Sequence, residues 1–373
     1  MSRVAIIGMG LVDTLGNNPD LCLINYLTKH HEPDGCFYSN HDLLIPENIK
    51  SNLYQSLTKS GKMALHTIEQ ALIDIPHSNN VAVIHSSVTN GTKKRSQIML
   101  NTLDGKRSKP RDTIQLPADF LSGLICRIYD FHGVSTGLNA ACASSLYNID
   151  YAKRLVDEYD YVVVGASDAA TSELDLNYYA SFGAVGTHSA PFDKSRDGFI
   201  MGEGAGCLVL QREELAKQND QKIYGYIHEV GLSNDAAFGH PVAPDPEARG
   251  IKRAMNSALC GDISEISFVS AHATSTPLGD EIEYNAIRET IPNSKVVAFK
   301  SKLGHCIGAS GVVELIYTLS CLNSNIIPYN HNINDCDLDI PTELNVGEHK
   351  YALKNSMGFG GKNASILVEG YRG

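Results

Sequence analysis

Seven short runs rich in β-branched residues recur along the chain: "RVAIIGMG", "VAVIHSS", "YVVVGAS", "GCLVLQ", "ISFVSAH", "KVVAF" and "ASILVEG", with helix-length stretches between them. This alternation constrains the fold more than any other feature. Strands separated by helical crossovers build a sheet whose faces must be covered by helices, so an α/β layered architecture is expected. The polar run "REELAKQNDQ" (Arg212 to Gln221) marks a boundary between two halves, 1–215 and 222–373. The halves echo each other weakly. "STGLNAACASSLYNIDYAKRLV" in the first and "VVAFKSKLGHCIGASGVVELIYTLSCL" in the second both read as strand, small-residue turn, helix. If such halves meet with their turns face to face, Cys142 comes near His305.

Composition removes several function classes. At 373 residues with 43% hydrophobic and 20% charged, the chain can bury a substantial core. It has no apolar run of about 18 residues or more, so no membrane span is expected. The opening "MSRVAIIGMGLV" has a single Arg and no clear small-residue cleavage site, and it reads as a buried strand. Nine scattered cysteines without CxxC spacing argue for a reducing cytoplasm, against a disulfide framework or zinc ribbon. A net charge of −11 predicts no general affinity for nucleic acid or anionic lipid. Two basic clusters, Lys93 to Arg95 and Lys106 to Arg111, leave room for a local acidic partner, although solvated loops are the plainer reading. "GMG" at Gly8 lacks the third glycine of a dinucleotide fingerprint. "GEGAG" at Gly202 precedes a strand instead of opening a helix, so both read as tight turns.

Four stretches carry candidate chemistry. In "LNAACASSLYNI", Cys142 sits among Ala141, Ala143 and Ser144, and helical spacing begins just after it. A cysteine at a helix N-terminus is expected to have a lowered pKa, and its small neighbours leave space for a substrate carbon. The bland alternative is a buried structural thiol. "SAHATSTPLGDEIE" places His272 just past a strand, with the Thr274 and Thr276 hydroxyls in the following loop, or else it is an ordinary Ser/Thr turn. "FKSKLGHCIGASGVVELI" sets Lys300 five positions before His305. Glu314 lies in its apolar continuation, where burial demands a partner such as Lys300 or His305, unless that helical face is exposed. "NSMGFGGKNAS" surrounds Phe359 with glycines whose N–H groups can approach a substrate closely, although a β-turn with a packing Phe would look the same.

Taken in order, "ACASS", "PFDKSRDGFIMGEGAG", "HATSTPLGD", "KSKLGHCIGASG" and "GFGGKNAS" resemble the motifs of β-ketoacyl synthases of the thiolase superfamily. The likeness is greatest to elongating enzymes that act on acyl carrier protein (ACP), and it runs essentially end to end. It implies a five-layer αβαβα sandwich of two pseudo-repeated halves, usually dimeric, the first half carrying the cysteine and the second both histidines. It implies that Cys142 takes an acyl group from acyl-ACP. His272 and His305 then bind the carbonyl oxygen of malonyl-ACP and stabilise the enolate formed as carbon dioxide leaves. By the same resemblance, the N–H groups of Cys142 and Phe359 form the oxyanion hole, and Phe359 is the gate. Lys300 and Glu314 orient and tune His305, and Thr274 with Thr276 holds the phosphopantetheine arm. No cofactor is implied beyond that substrate arm, and no metal, since the histidines lack close companion ligands.

Departures from the family pattern fall around the site. Ala273 stands where a glycine usually follows the first histidine, and Met357 replaces a common Phe. Val185-Gly186 stands where an arginine often greets ACP. The chain is also shorter than typical elongating synthases, mostly ahead of Cys142. These changes point to a specialised fatty acid, polyketide or polyene pathway, and Val88 is the residue expected near the narrowing of the acyl tunnel. Two other readings compete: a chain-length-factor-like partner of a heterodimeric ketosynthase, and an unrelated Cys-His hydrolase. Chain-length factors typically lose the nucleophile that is present here, and a hydrolase gives no reason for two histidines plus Lys300.

Overall fold

The computed structural model describes residues 3–28, 35–117, 119–236, 242–259 and 265–372. The outer ends of the two expected segments, residues 1 and 373, and the ninth cysteine, Cys260, lie outside the described residues.

Five strands belong to the first half: β1 (Val4–Val12), β2 (Val81–Ser86), β3 (Ser135–Thr136), β4 (Tyr161–Ala169) and β5 (Glu203–Arg212). The second half has β6 (Gly225–Asn234), β7 (Ile266–Ser270), β8 (Lys295–Val297), the short pair β9 (Ile326–Ile327) and β10 (Asn345–Val346), then β11 (Tyr351–Gly358) and β12 (Lys362–Gly370). The long sheet runs β3-β2-β4-β5-β1-β6-β12-β11-β7-β8, which is one five-strand pattern read outwards from its centre in both directions. In the first half β2 is parallel to β3 and β4, and β5 is antiparallel to β4 and β1. In the second β7 is parallel to β8 and β11, and β12 is antiparallel to β11 and β6. A short antiparallel contact, Val4↔Ile227 to Ile6↔Gly225, joins the two. The weak sequence echo thus corresponds to a five-strand pattern that recurs in the second half, to which the short β9–β10 pair is added.

Alternate residues along each strand enter different cores, and this creates the layers. Val162 and Val164 point into a central core with Leu146 of the Ser144–Leu155 helix and Val312 of the Ser310–Asn323 helix. Val163 points the other way, against Leu65 and Leu121 of the Lys59–Ala71 and Phe120–Tyr129 helices. In the second half Ile366 and Val368 face the central core, while Leu367 meets Ile251 and Ile287 of the outer helices Arg249–Ala258 and Pro277–Thr290. Strands buried on both faces read as unbroken apolar runs, which is why the sequence marks them so clearly. The same burial explains the Ser310–Asn323 helix, whose apolar residues continue around its whole circumference.

Besides the two-residue strands, two long strands were not legible as strands. β6 mixes His228 and Glu229 into its pattern, and β11 carries Lys354, Asn355 and Ser356, all buried. Polar residues there find partners from other elements, which no local pattern announces. The polar run after β5 is mostly helical (Glu213–Gln218) and packs back on β1 and β5. The Lys93–Arg95 cluster lies in the first turn of the Thr92–Leu103 helix instead of a loop.

Helix and strand approach so closely at two related places that only glycine fits. A Cβ on Gly10 would stand 1.9 Å from the Thr67 carbonyl oxygen, and one on Gly231 would stand 1.9 Å from that of Ala254. Gly231→Ala is expected to destabilise the protein by roughly 3 kcal/mol through overpacking against a backbone that cannot yield. Urea unfolding of the variant beside the parent measures it.

Candidate active site

Cys142 lies in a tight turn immediately before the Ser144–Leu155 helix. Ala141 adopts a left-handed φ of 51°, a conformation that costs an L-residue about 1 kcal/mol and persists because the turn is over-determined. Ser144 Oγ supplies the lock, accepting from the Ala140 N–H at 2.8 Å and donating to the Ala141 carbonyl at 2.6 Å. Gly358 presses on this turn from the other half. A Cβ there would stand 2.4 Å from the Ala140 carbonyl oxygen, so glycine is required for the loop to deliver Phe359. The N–H groups of Cys142 and Phe359 both act on the sulfur and favour its anion.

Burial is the larger influence on that sulfur. It pushes the thiol up to about 12, against the pull of the Lys300 charge and the two N–H groups, while Asp168 pushes it further up. The expectation of a thiol acidified by its helix terminus is therefore overturned. Desolvation of a fully buried thiolate exceeds what one helix end supplies, and the resting group is a neutral thiol.

His305 Nε2 lies 3.2 Å from Cys142 Sγ, and its Nδ1 lies 2.9 Å from Ser310 Oγ. The Phe199 ring stands edge-on to the imidazole at 5.0 Å between centroids. The His272 ring stands nearly perpendicular to His305 at 5.3 Å. Burial, followed by the charges of Lys300 and Lys354, holds both histidines well below the ordinary imidazole range, and His305 further lowers His272. Both rings are thus neutral at pH 7, each able to donate one hydrogen bond. His272 Nδ1 is buried without a protein partner.

The backbone of His272 is clamped on both sides by charge. Its N–H donates to Glu283 Oε1 at 2.7 Å, and the Ala273 N–H donates to Glu283 Oε2 at 2.8 Å. Its carbonyl accepts from Lys300 Nζ at 2.6 Å. Ala273, in place of glycine, holds a positive φ of 30° within this clamp. Glu314 is fully buried, and its carboxylate lies 2.6 Å from Lys300 Nζ and 2.7 Å from Lys354 Nζ. Of the two partners expected for Glu314, Lys300 is the one in contact. His305 is occupied by Cys142 and Ser310.

These groups open onto a cleft of about 530 Å³ lined by Cys142, His272, His305, Thr274, Thr276 and Phe359, among others. Thr274 and Thr276 stand at its rim with their hydroxyl oxygens 3.2 Å apart. The Phe359 ring meets Phe182 edge-on at 5.5 Å, and Met357 lines the same wall. Val88 packs against the apolar group around Cys142 and Ile307. Four contributors went unnoticed in the sequence: Ser310, Glu283, Phe199 and Lys354. A signal existed for Glu283, because Asp280, Glu283 and Ile287 share one helical face that is otherwise apolar. Lys354 stands alone in the apolar half of a strand, which is a weaker sign of the same kind.

Residues 51–216 match the β-ketoacyl synthase N-terminal domain family, and residues 224–334 match the β-ketoacyl synthase C-terminal domain family. A curated relative from Staphylococcus aureus (strain COL), 3-oxoacyl-[acyl-carrier-protein] synthase 2, is 30% identical over 98% of this chain and 98% of its own length. A protein of the same name from Coxiella burnetii is 34% identical over 66% of this chain, and that match spans 64% of the relative. In fold the chain resembles a solved ketosynthase (ApeO) in complex with its chain length factor (ApeC) from Xenorhabdus doucetiae. The TM-score is 0.84 at 24% identity, covering 99% of this chain and 98% of that one. With both domain families in order and a full-length relative at that identity, the chain belongs to the β-ketoacyl synthase family.

Proposed function

We propose that the protein is a β-ketoacyl-ACP synthase that makes carbon–carbon bonds by decarboxylative Claisen condensation. The observation that carries the reading is the thiol of Cys142 held 3.2 Å from a neutral imidazole, with a second neutral imidazole beside it. Cys142 Sγ attacks the thioester carbon of acyl-ACP as its proton passes to His305 Nε2 and on to the departing pantetheine sulfur. The Cys142 and Phe359 N–H groups meet the developing oxyanion. In the second half-reaction, His272 and His305 donate to the thioester carbonyl oxygen of malonyl-ACP, His305 in the tautomer that carries its proton on Nε2 while Nδ1 accepts from Ser310 Oγ. The bond to the carboxyl group breaks, carbon dioxide leaves, and the enolate carbon attacks the acyl carbon. Cys142 sulfur departs as the thiolate and takes up a proton from solvent, and β-ketoacyl-ACP results. Thr274 and Thr276 at the rim are suited to the amides of the pantetheine arm, and Phe359 to gating the cleft between the two steps. Within this reading the side chains and the substrate thioesters carry all the chemistry, with no further cofactor.

The partners in this reading are ACP and a second subunit, either another copy or a related ketosynthase or chain-length factor. The Thr92–Leu103 helix buries none of its residues and exposes Met99, Leu100 and Leu103, which suits a subunit contact. Among the described residues no helix is long and apolar enough to cross a membrane. A cytoplasmic setting belongs to the same proposal and accords with the eight cysteines among the described residues, all free thiols.

Intact-protein mass spectrometry with a panel of acyl-ACPs tests the reading. An acyl adduct on Cys142 that disappears when malonyl-ACP is added, as β-ketoacyl-ACP appears, is the expected result. A folded protein that takes no acyl group from any primer would instead favour the partner-subunit reading. His272→Ala is expected to slow malonyl-ACP decarboxylation by about 10²- to 10³-fold, the usual effect of removing one donor from a developing oxyanion. Carbon dioxide release measures it.

A further inference from the structure

Lys354 has no part in the reaction as described, yet it is fully buried and touches the same carboxylate as Lys300. It reaches Glu314 from β11, forty residues further along the chain. Its Nζ also lies 3.2 Å from the Ala271 carbonyl oxygen and 3.4 Å from that of Ser270, at the end of the strand that leads into His272. On the far side of His272 stands Glu283, whose oxygens accept from the His272 and Ala273 N–H groups and from Asn355 Nδ2 at 3.2 Å. The charged side chains in hydrogen-bond contact with Glu314 or with the backbone at residues 270–273 are two carboxylates, Glu283 and Glu314 itself, and two ammoniums, Lys300 and Lys354. Without the Lys354 proton that set carries a net negative charge, directly behind the point where the enolate gathers its own.

We propose that Lys354 is a positioning residue for the decarboxylation step: by balancing the second buried carboxylate and tying Glu314 to the carbonyls before His272, it keeps the imidazoles aligned and the field behind them from turning negative. This rests on the reading of the site as a decarboxylative condensing enzyme. The groups that face Lys354 are Glu314 on the Ser310–Asn323 helix, Lys300 on its short helix, Glu283 on the Pro277–Thr290 helix, and the two histidines it influences. Burial, opposed by Glu314 and Glu283 and assisted by Lys300, brings its ammonium down to about 8, so the balance is lost as pH rises through that value. The thiol of Cys142 is governed chiefly by burial, Lys300, Asp168 and the two N–H groups. Lys354 bears on acylation only through His305, whereas it bears on decarboxylation through both imidazoles and the carbonyls before His272, so acylation should depend on it less.

The test separates the two half-reactions. Carbon dioxide release from malonyl-ACP is followed in a Cys142→Ala background, and acyl transfer from acyl-ACP in a background that retains Cys142, each from pH 6 to 9.5. With Lys354 intact, decarboxylation should fall on an alkaline limb near pH 8 that acylation lacks. Lys354→Met should slow decarboxylation about tenfold or more at pH 7 and abolish that limb, while changing acylation less than about threefold. Decarboxylation at an undiminished rate with the limb retained would overturn the inference, as would an equal fall in both half-reactions with unchanged pH profiles, which marks a merely structural role. If Lys354→Met does not fold by near-ultraviolet circular dichroism, the chain with Lys354 decides alone: a limb near pH 8 confined to decarboxylation upholds the inference, and its absence overturns it. Failure of the parent protein to form β-ketoacyl-ACP at all would sink the condensing-enzyme reading itself, an outcome distinct from either.

Discussion

Replacing Cys142 with alanine should abolish acyl transfer and lower condensation by about 10⁴-fold or more, in line with removal of a covalent nucleophile from other enzymes. The same variant should still release carbon dioxide from malonyl-ACP, because His272 and His305 remain neutral donors on their own supports. These opposite outcomes are the sharpest consequence of the geometry. The sulfur is needed for acyl transfer and the second imidazole for enolate formation, and His305, in contact with Sγ at 3.2 Å, serves both of those steps. Mass spectrometry for the adduct and a carbon dioxide assay, run on one preparation, read the two outcomes together. A Cys142→Ala protein that still made β-ketoacyl-ACP would remove the covalent step from the mechanism. One that lost decarboxylation as well would place Cys142 in the enolate-forming step.

The second large effect is expected in stability. Glu314→Ala leaves Lys300 and Lys354 buried without the carboxylate they share. Removing one partner of a buried ion pair costs about 3–5 kcal/mol, because the remaining charge stays desolvated. Here two charges are stranded, so a loss toward or above the upper end is expected at pH 7. The loss should shrink as pH rises. The folded-state pKa of Lys354 lies near 8, below its unfolded value of 10.5. Between those values the unfolded chain binds more protons than the folded one, so stability rises with pH through that window. Losing Glu314 removes an influence that raises the Lys354 pKa, so the variant sheds that proton earlier and part of its deficit disappears. Urea unfolding at pH 7 and at pH 9.5 should show a smaller gap between variant and parent at the higher pH. A gap that widened would mean that the buried lysines are not the source of the instability.

Much of the fold was legible because its strands are buried on both faces and so read as apolar runs. The central Ser310–Asn323 helix is apolar all round, which made Glu314 conspicuous. β6 and β11 were hidden by polar side chains whose partners lie on other elements, such as Lys354 with Glu314 and Asn355 with Glu283. At the site, the small residues around Cys142 and the glycines around Phe359 signalled close approach, and the structure shows where each is needed. Gly358 meets Ala140, and Ser144 locks the turn that Ala141 strains. Ser310 and Phe199 left no such sign. A serine at a helix start and an aromatic residue before a strand are common, and only their distances to His305 distinguish them.

By itself, the sequence determined the layered α/β class, the two halves, and the residues whose type suits acyl transfer and enolate formation. These follow from local spacing and from side-chain chemistry, which neighbours in the chain already express. Only the tertiary structure decided the protonation states and the charge balance. The thiol is driven up despite its place before a helix, because burial outweighs one helix end. The imidazoles stay neutral because burial and two lysines oppose their cations. Glu314 is shared by two lysines, one of them from a strand that no local pattern announced. Desolvation and Coulomb interaction depend on what surrounds a group in space, and here those surroundings come from segments far apart in the chain.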